Sequence, residues 1–144
     1  MPFLSIILPR KYNSTLEESY ILPSIEGQIV DFNDIEIILC SSVVEGQTSC
    51  ELDLSSLPKV NKVAKQYSEK CFMSSPGNSR NIGLKHATGE YVVFWDYDDY
   101  LFNEQCISTL IEHLRDLPEF VSIFECSYYV DFGTHLNKIP LTFY

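Results

Sequence analysis

A chain of 144 residues with 45% hydrophobic content can bury the core of one compact domain, and its 21% charged and 13% aromatic residues lie far from a disordered composition. Twenty acidic residues against ten basic ones give a formal charge of -10, the wrong sign for broad attraction to a polyphosphate backbone, so no nucleic-acid partner is expected. An anionic nucleotide can still bind where helix N-termini, local basic residues or a divalent cation neutralise its phosphates, and the last of these needs clustered carboxylates.

The first element, Phe3 to Leu8, is a continuous apolar run ended by Pro9. It is too short for a signal peptide or a membrane span and suits a strand buried on both faces, as in a parallel sheet. Ser14 followed by Glu17 has the form of a capping box, and Leu16, Tyr20, Ile21 and Ile25 recur at roughly helical spacing. A helix is therefore predicted over residues 15–28, shortened or kinked by Pro23. Ile35 to Cys40 repeats the buried-strand pattern, and Ser41 to Ser56 reads as a Ser-, Gly- and Thr-rich loop with at most a short helix. Lys62 to Tyr67 is a weaker, partly polar strand.

Ser75 can cap a helix that starts at Pro76 and runs to about Thr88, with Gly89 as its stop. Tyr91 to Trp95 is the third strongly apolar strand and leads directly into Asp96-Tyr97-Asp98-Asp99. Asn103 can cap an amphipathic helix whose stripe is Cys106, Ile107, Leu110, Ile111 and Leu114, and Val121 to Val130 reads as a further strand. Alternating strands and helices predict right-handed βαβ units, an α/β fold with a mostly parallel sheet, and a ligand crevice beyond the carboxyl ends of the strands. The acidic tetrad falls at that edge. Cys40, Cys50, Cys71, Cys106 and Cys126 are odd in number and show no close pairing, so they read as reduced thiols of a cytoplasmic protein rather than zinc ligands.

Three carboxylates within four residues repel one another, and a bound oxygen-seeking cation such as Mg²⁺ or Mn²⁺ would relieve that repulsion; a solvated acidic turn is the bland alternative. The surrounding blocks decide between them. Leu4–Asn13 (LSIILPRKYN), Asp34–Ser42 (DIEIILCSS) and above all Ser75–Leu101 (SPGNSRNIGLKHATGEYVVFWDYDDYL) resemble the nucleotide-recognition half of the family 2, GT-A-type glycosyltransferases. The last block combines the Arg-Asn-x-Gly helix start, Ala-Thr-Gly-Glu-Tyr and the Asp-x-Asp-Asp turn at family spacing.

The resemblance implies a Rossmann-like GT-A fold with helices on both faces, sheet order 3-2-1-4, and residues 1–144 as a nucleotide-sugar-binding domain that ends before the acceptor half. It implies a UDP-sugar donor, Mn²⁺ or Mg²⁺, and transfer to a glycan, lipid or protein acceptor, as in polysaccharide biosynthesis. Asp98 matches the metal-binding acid, Asp96 would approach the ribose or the metal's water shell, and Asp99 is a supporting ligand. Pro9, Tyr12, Asn13, Ser41 and Arg80 complete the implied donor site, while Asn81 and Gly83 would help their helix pack on the sheet. His86, His113 and His135 are scattered and read as non-catalytic.

Two departures qualify this pattern. Arg10 and Lys11 separate Pro9 from Tyr12 where the family has one residue, so Tyr12 is open to displacement and Arg10 or Lys11 to a phosphate contact. Cys40, Ser41 and Ser42 stand where the family ends its second strand in aspartate, and a hydroxyl lacks the charge-assisted bond to a base N–H, a difference of about 1 kcal/mol or more. The general base of an inverting transfer lies in a later segment of the family, so no catalytic residue is assigned. Glu125 and Asp131 match no family base. The alternative to an enzyme is a non-catalytic nucleotide-sugar-binding or assembly module without an acceptor site. A peripheral place at the inner face of the membrane and a homo-oligomer are both compatible with the sequence.

Overall fold

The computed structural model describes residues 1–117 and the two strands at 128–131 and 136–139. Four strands form one parallel sheet: β1 (Leu4–Pro9), β2 (Ile35–Val43), β3 (Ala64–Lys70) and β4 (Tyr91–Phe94), in the order β3-β2-β1-β4. This is the order the resemblance implies. Every residue of β1 and β2 is buried, which is why both read as largely apolar runs, although Ser5, Glu36, Ser41 and Ser42 are buried with them. β3, an edge strand, is only partly buried, and β2 runs on through residues 41–43, which the sequence placed in a loop. The register sets Leu4 beside Ile35 and Tyr91, and Ile7 beside Ile38 and Phe94.

Alternation sends Ile7, Ile38 and Cys40 to one face, where they pack with Ile82 of α3 (Pro76–His86). Gly83 makes that approach possible, since a Cβ there would come within 2.4 Å of Ile7 Cγ2. Asn81 is exposed, so Ser79, Ile82 and Gly83 form the packed side of this helix. Leu4, Ile6, Leu8, Ile37 and Leu39 point to the opposite face and are fully buried. Right-handed crossovers put α1 (Ile21–Glu26) and α2 (Pro58–Val63) on that side, and α2 packs against both β2 and α1.

The helix starts show why some elements differ from expectation. The single helix over 15–28 is instead a 3₁₀ turn at Leu16–Glu18 followed by α1, with Pro23 tolerated in the first turn. The capping box is Thr15 and Glu18, one residue later than expected, because the Ser14 hydroxyl donates to the Lys11 carbonyl at 2.9 Å. The amino end of α2 is satisfied by the Glu26 carboxylate, which accepts from the Lys59 N–H at 3.0 Å and the Val60 N–H at 2.9 Å. Ser75 caps α3 as expected, accepting from the Asn78 N–H at 3.1 Å.

Two further expectations are corrected. The partly polar strand begins at Ala64 and runs to Lys70, because Lys62 and Val63 close α2. Gly89 is not the stop of α3, which ends at His86 with Ala87 as its extended C-cap. Gly89 lies against β1 instead, where a Cβ would sit 2.7 Å from the Ser5 N and Oγ. In α4 (Cys106–Arg115), Ile107, Ile111 and Leu114 are the buried stripe, and Asn103 Oδ1 accepts from the Gln105 N–H at 2.8 Å. Of the strand expected at 121–130, residues 121–127 lie outside the described residues; β5 (Tyr128–Asp131) pairs antiparallel with β6 (Leu136–Ile139).

The chain divides into a compact unit of residues 1–111, which holds the four-stranded sheet, and a second of residues 112–144. No described helix is long and apolar enough to cross a membrane. At the amino end of the sheet Glu36 is 3% exposed, and it accepts from Ser5 Oγ at 2.7 Å, the Thr88 N–H at 2.6 Å, Thr88 Oγ1 at 2.9 Å and Lys65 Nζ at 3.3 Å. Burial is the largest single influence and would raise the Glu36 pKa, yet the donors together outweigh it and the carboxyl titrates below its ordinary value.

Candidate functional site

The chain leaves β1 for β2 and β3 on one side and returns to the other side as β4, so the switch point lies between the carboxyl ends of β1 and β4. The β1–β4 ladder continues one step past β4, where the Trp95 N–H donates to the Ile7 carbonyl at 3.2 Å, and then the acidic tetrad begins. The tetrad closes on itself: the Asp99 N–H donates to the Asp96 carbonyl at 3.2 Å, and the Asp96 N–H donates to Asp99 Oδ2 at 3.1 Å. Asp96, Asp98 and Asp99 are exposed.

Tyr97 splits the acids by turning inward. It is 8% exposed, its hydroxyl donates to the Thr15 carbonyl at 2.9 Å, and its own carbonyl accepts from Ser19 Oγ at 3.3 Å. The turn is thus pinned to the loop that follows β1. Partial burial, and then the charges of Asp96 and Asp98, push the Asp99 carboxyl above the usual aspartate range, against the opposing Asp96 N–H. From α3, Arg80 Nη2 reaches Asp96 Oδ1 at 2.6 Å, so the expected donor-site arginine and acid stand side by side. Among the described residues, no three His, Cys, Asp or Glu side chains are grouped to hold a metal by themselves. The turn offers hard oxygen donors of the kind a Mg²⁺ or Mn²⁺ ion takes one or two at a time, the rest coming from substrate phosphates and water.

In the loop after β1, Pro9 is buried, Tyr12 half-buried, and Lys11 and Asn13 exposed. Arg10 is 7% exposed, and its guanidinium is directed at backbone oxygens of Lys11, Ser14 and Cys50, so it is not the open phosphate contact that its position suggested. The Cys50 N–H donates to the Tyr12 carbonyl at 2.9 Å, tying the loop after β2 to the same place.

At the end of β2 the hydroxyls that stand in for the expected aspartates are already engaged. Ser41 is fully buried with its Oγ 2.8 Å from Ser49 Oγ. Ser42 Oγ accepts from the Ser75 N–H at 3.0 Å and lies 3.1 Å from Ser79 Oγ, joining β2 to the start of α3. Burial pushes the Cys40 thiol up to about 12, so it stays protonated and supplies neither nucleophile nor ligand. His86 stacks on Tyr67 at 3.7 Å, and His135 lies outside the described residues.

The inward roles of Tyr97 and Arg10 were not legible in the sequence. The one available signal was an aromatic residue set among acids in a turn, where exposure would have little use for it.

Comparison with known proteins agrees with the fold. A GalNAc(5)-diNAcBac-PP-undecaprenol beta-1,3-glucosyltransferase of Campylobacter jejuni is 34% identical over 116 residues, which is 81% of this chain and 36% of that protein. A poly(ribitol-phosphate) beta-glucosyltransferase of Bacillus spizizenii is 34% identical over 107 residues, 70% of this chain and 16% of that protein. The chain therefore spans well under half the length of either relative. Staphylococcus aureus TarS 1-349, solved in complex with UDP-GlcNAc, matches with a TM-score of 0.54 and 25% identity, over 81% of this chain and 32% of that one. The model of glycosyl transferase family 2 matches residues 60–142, more than half of the sequence, and the chain belongs to that family.

Proposed function

We propose that this chain binds the nucleotide-sugar donor, a UDP-sugar, of a glycosyltransferase at the carboxyl edge of β1 and β4, with a divalent cation shared between the Asp96–Asp99 turn and the donor diphosphate. The observation that carries the reading is the paired placement of Arg80 and the acidic turn at the switch point of the sheet, a cation and hard oxygen donors at one crevice. Asp98 is the principal metal ligand, and Asp96 serves the ribose or the metal's water shell. Asp99 supports the turn through its bond to the Asp96 N–H. Once bound, the metal would stabilise the departing diphosphate as a Lewis acid. Arg80, released from Asp96, has the fork geometry to take a phosphate oxygen pair. The resemblance of Leu4–Asn13 to the family assigns Tyr12 and Asn13, on the loop after β1, to the nucleoside.

The UDP-GlcNAc complex of the TarS neighbour supports the donor class, and the C. jejuni relative, named for a PP-undecaprenol substrate, supports a lipid-linked acceptor and a place at the membrane surface. A binding module without transfer is the second reading. It is favoured by Ser41 and Ser42, whose hydroxyls are spent on Ser49, Ser75 and Ser79 instead of a base.

The test is a thermal-shift series with UDP, GDP and UDP-sugars, each with Mn²⁺ and with EDTA. A ligand that binds only the native state raises stability by mass action, so UDP with Mn²⁺ should raise Tm and UDP with EDTA should not. Equal shifts in the two conditions would defeat the shared-metal reading, and no shift with any nucleotide would defeat donor binding.

A further inference from the structure

The loop after β1 carries one residue more than the family pattern, and Arg10 is the residue the fold takes inside. Its side chain is 7% exposed although β1 has ended at Pro9, and its backbone N–H still donates to the Cys40 carbonyl at 2.9 Å. The guanidinium Nη1 lies 3.4 Å from the Ser14 carbonyl oxygen and 3.5 Å from both the Lys11 carbonyl and Ser14 Oγ. Nη2 donates to the Cys50 carbonyl, forty residues away in the loop after β2. The Cys50 N–H in turn holds the Tyr12 carbonyl, and Ser14 Oγ holds the Lys11 carbonyl.

A planar fork with five donors has the fixed span to bridge two loops in this way, whereas an ammonium is a compact point charge with three donors on one atom. Burial draws the Arg10 pKa below its ordinary value, and the guanidinium stays charged all the same. Its charge is answered by carbonyl dipoles and by the hydroxyl of Ser14, and the buried Tyr97 beside it pins the far end of the same loop at Thr15.

We propose that Arg10 is a positioning residue for the nucleoside part of the donor: it clamps the loops after β1 and β2 together and so fixes Tyr12 and Asn13 before ligand arrives. This rests on the donor-binding reading above. Preorganisation of this kind removes from binding the ordering cost of the loop backbone that carries the two residues, which corresponds to about tenfold in affinity. The diphosphate end is held by α3 and by the turn after β4, which Tyr97 ties to the far end of this loop, and should feel the change much less than the nucleoside end.

The experiment measures affinity of the full chain for UDP and for inorganic pyrophosphate, both with Mn²⁺, by isothermal titration, in the wild type, Arg10→Met, Arg10→Lys and Ser14→Ala. Circular dichroism confirms the fold of each variant. Arg10→Met should weaken UDP about tenfold and leave pyrophosphate within about twofold, with Arg10→Lys and Ser14→Ala between it and the wild type. If Arg10→Met does not fold, the same nucleoside-only loss in the two milder variants carries the test. Unchanged UDP affinity in the folded variants would show a merely structural arginine and overturn the proposal. Equal losses for UDP and pyrophosphate would overturn it in favour of a direct phosphate contact. Failure of the wild type to bind UDP would defeat the donor-binding reading itself, an outcome distinct from either.

Discussion

At the amino end of the sheet one carboxylate, Glu36, is 3% exposed and takes donors from Ser5, Lys65 and Thr88, while at the carboxyl end three acids share an exposed turn with Arg80 beside one of them. Glu36 is held below its usual pKa and Asp99 above. The first arrangement has its lone pairs committed and its charge compensated, which is the condition for burying an ion. The second keeps like charges close and hydrated, which stability alone gives no reason to do and which an arriving cation would relieve. Both ends belong to the same sheet, so the contrast separates what the fold needs from what a ligand needs.

The largest expected effect is at the amino end. Gly89→Ala would press a Cβ to within 2.7 Å of the Ser5 N and 3.0 Å of the Leu4 carbonyl carbon, backbone atoms that cannot swing away. A loss of about 3 kcal/mol is expected in urea denaturation, with the UDP and Mn²⁺ response intact wherever the variant is folded. Glu36→Gln should cost about 2 kcal/mol at neutral pH, because the amide keeps only one acceptor oxygen, sets an N–H₂ group among donors and removes the charge that pairs with Lys65. Its pH dependence gives the sign. A glutamate whose folded pKa is lowered contributes stability that is present above its unfolded pKa and is lost as pH falls through the folded value. The gap between wild type and Glu36→Gln should therefore narrow in acid, and a constant gap would show that the charge of Glu36 is not what the network stabilises.

The fold was largely legible because its core strands are buried on both faces: Leu4–Pro9 and residues 35–40 read as apolar runs despite Ser5 and Glu36. Residues 41–43, expected in the following loop, instead extend β2, because the hydroxyls of Ser41 and Ser42 are satisfied inside the fold. What escaped depended on contacts between distant residues. The cap of α2 is Glu26, more than thirty positions away, so Pro58–Val63 carried no local start signal beyond its proline, and Val60 is its one buried residue. Gly89 followed a helix and looked like its stop, yet the close approach of β1 fixes its identity. In the site, the composition of the acidic turn was plain, but its division was not. Burial of Tyr97 and the inward turn of Arg10 are decided by the loop between them, which spacing does not encode.

Smaller effects are expected at the carboxyl end. Asp99→Asn should leave the apo protein as stable or slightly more stable at neutral pH, because the raised folded pKa of Asp99 marks a carboxylate whose ionised form disfavours the fold. That advantage should shrink as pH falls below the carboxylate range, where Asp99 is protonated in both states. A large loss of stability at neutral pH would mean that the turn is structural in the same sense as Glu36.

The most direct measurement is calorimetric titration of UDP with Mn²⁺ into the wild type and into Asp98→Ala, alongside their unfolding curves. Asp98 is exposed in a crowded turn, so its removal should change stability by less than about 0.5 kcal/mol. The metal-dependent part of UDP binding should disappear in the variant. Undiminished Mn²⁺-dependent binding by a folded Asp98→Ala protein would contradict the assignment of the acidic turn to the donor's metal.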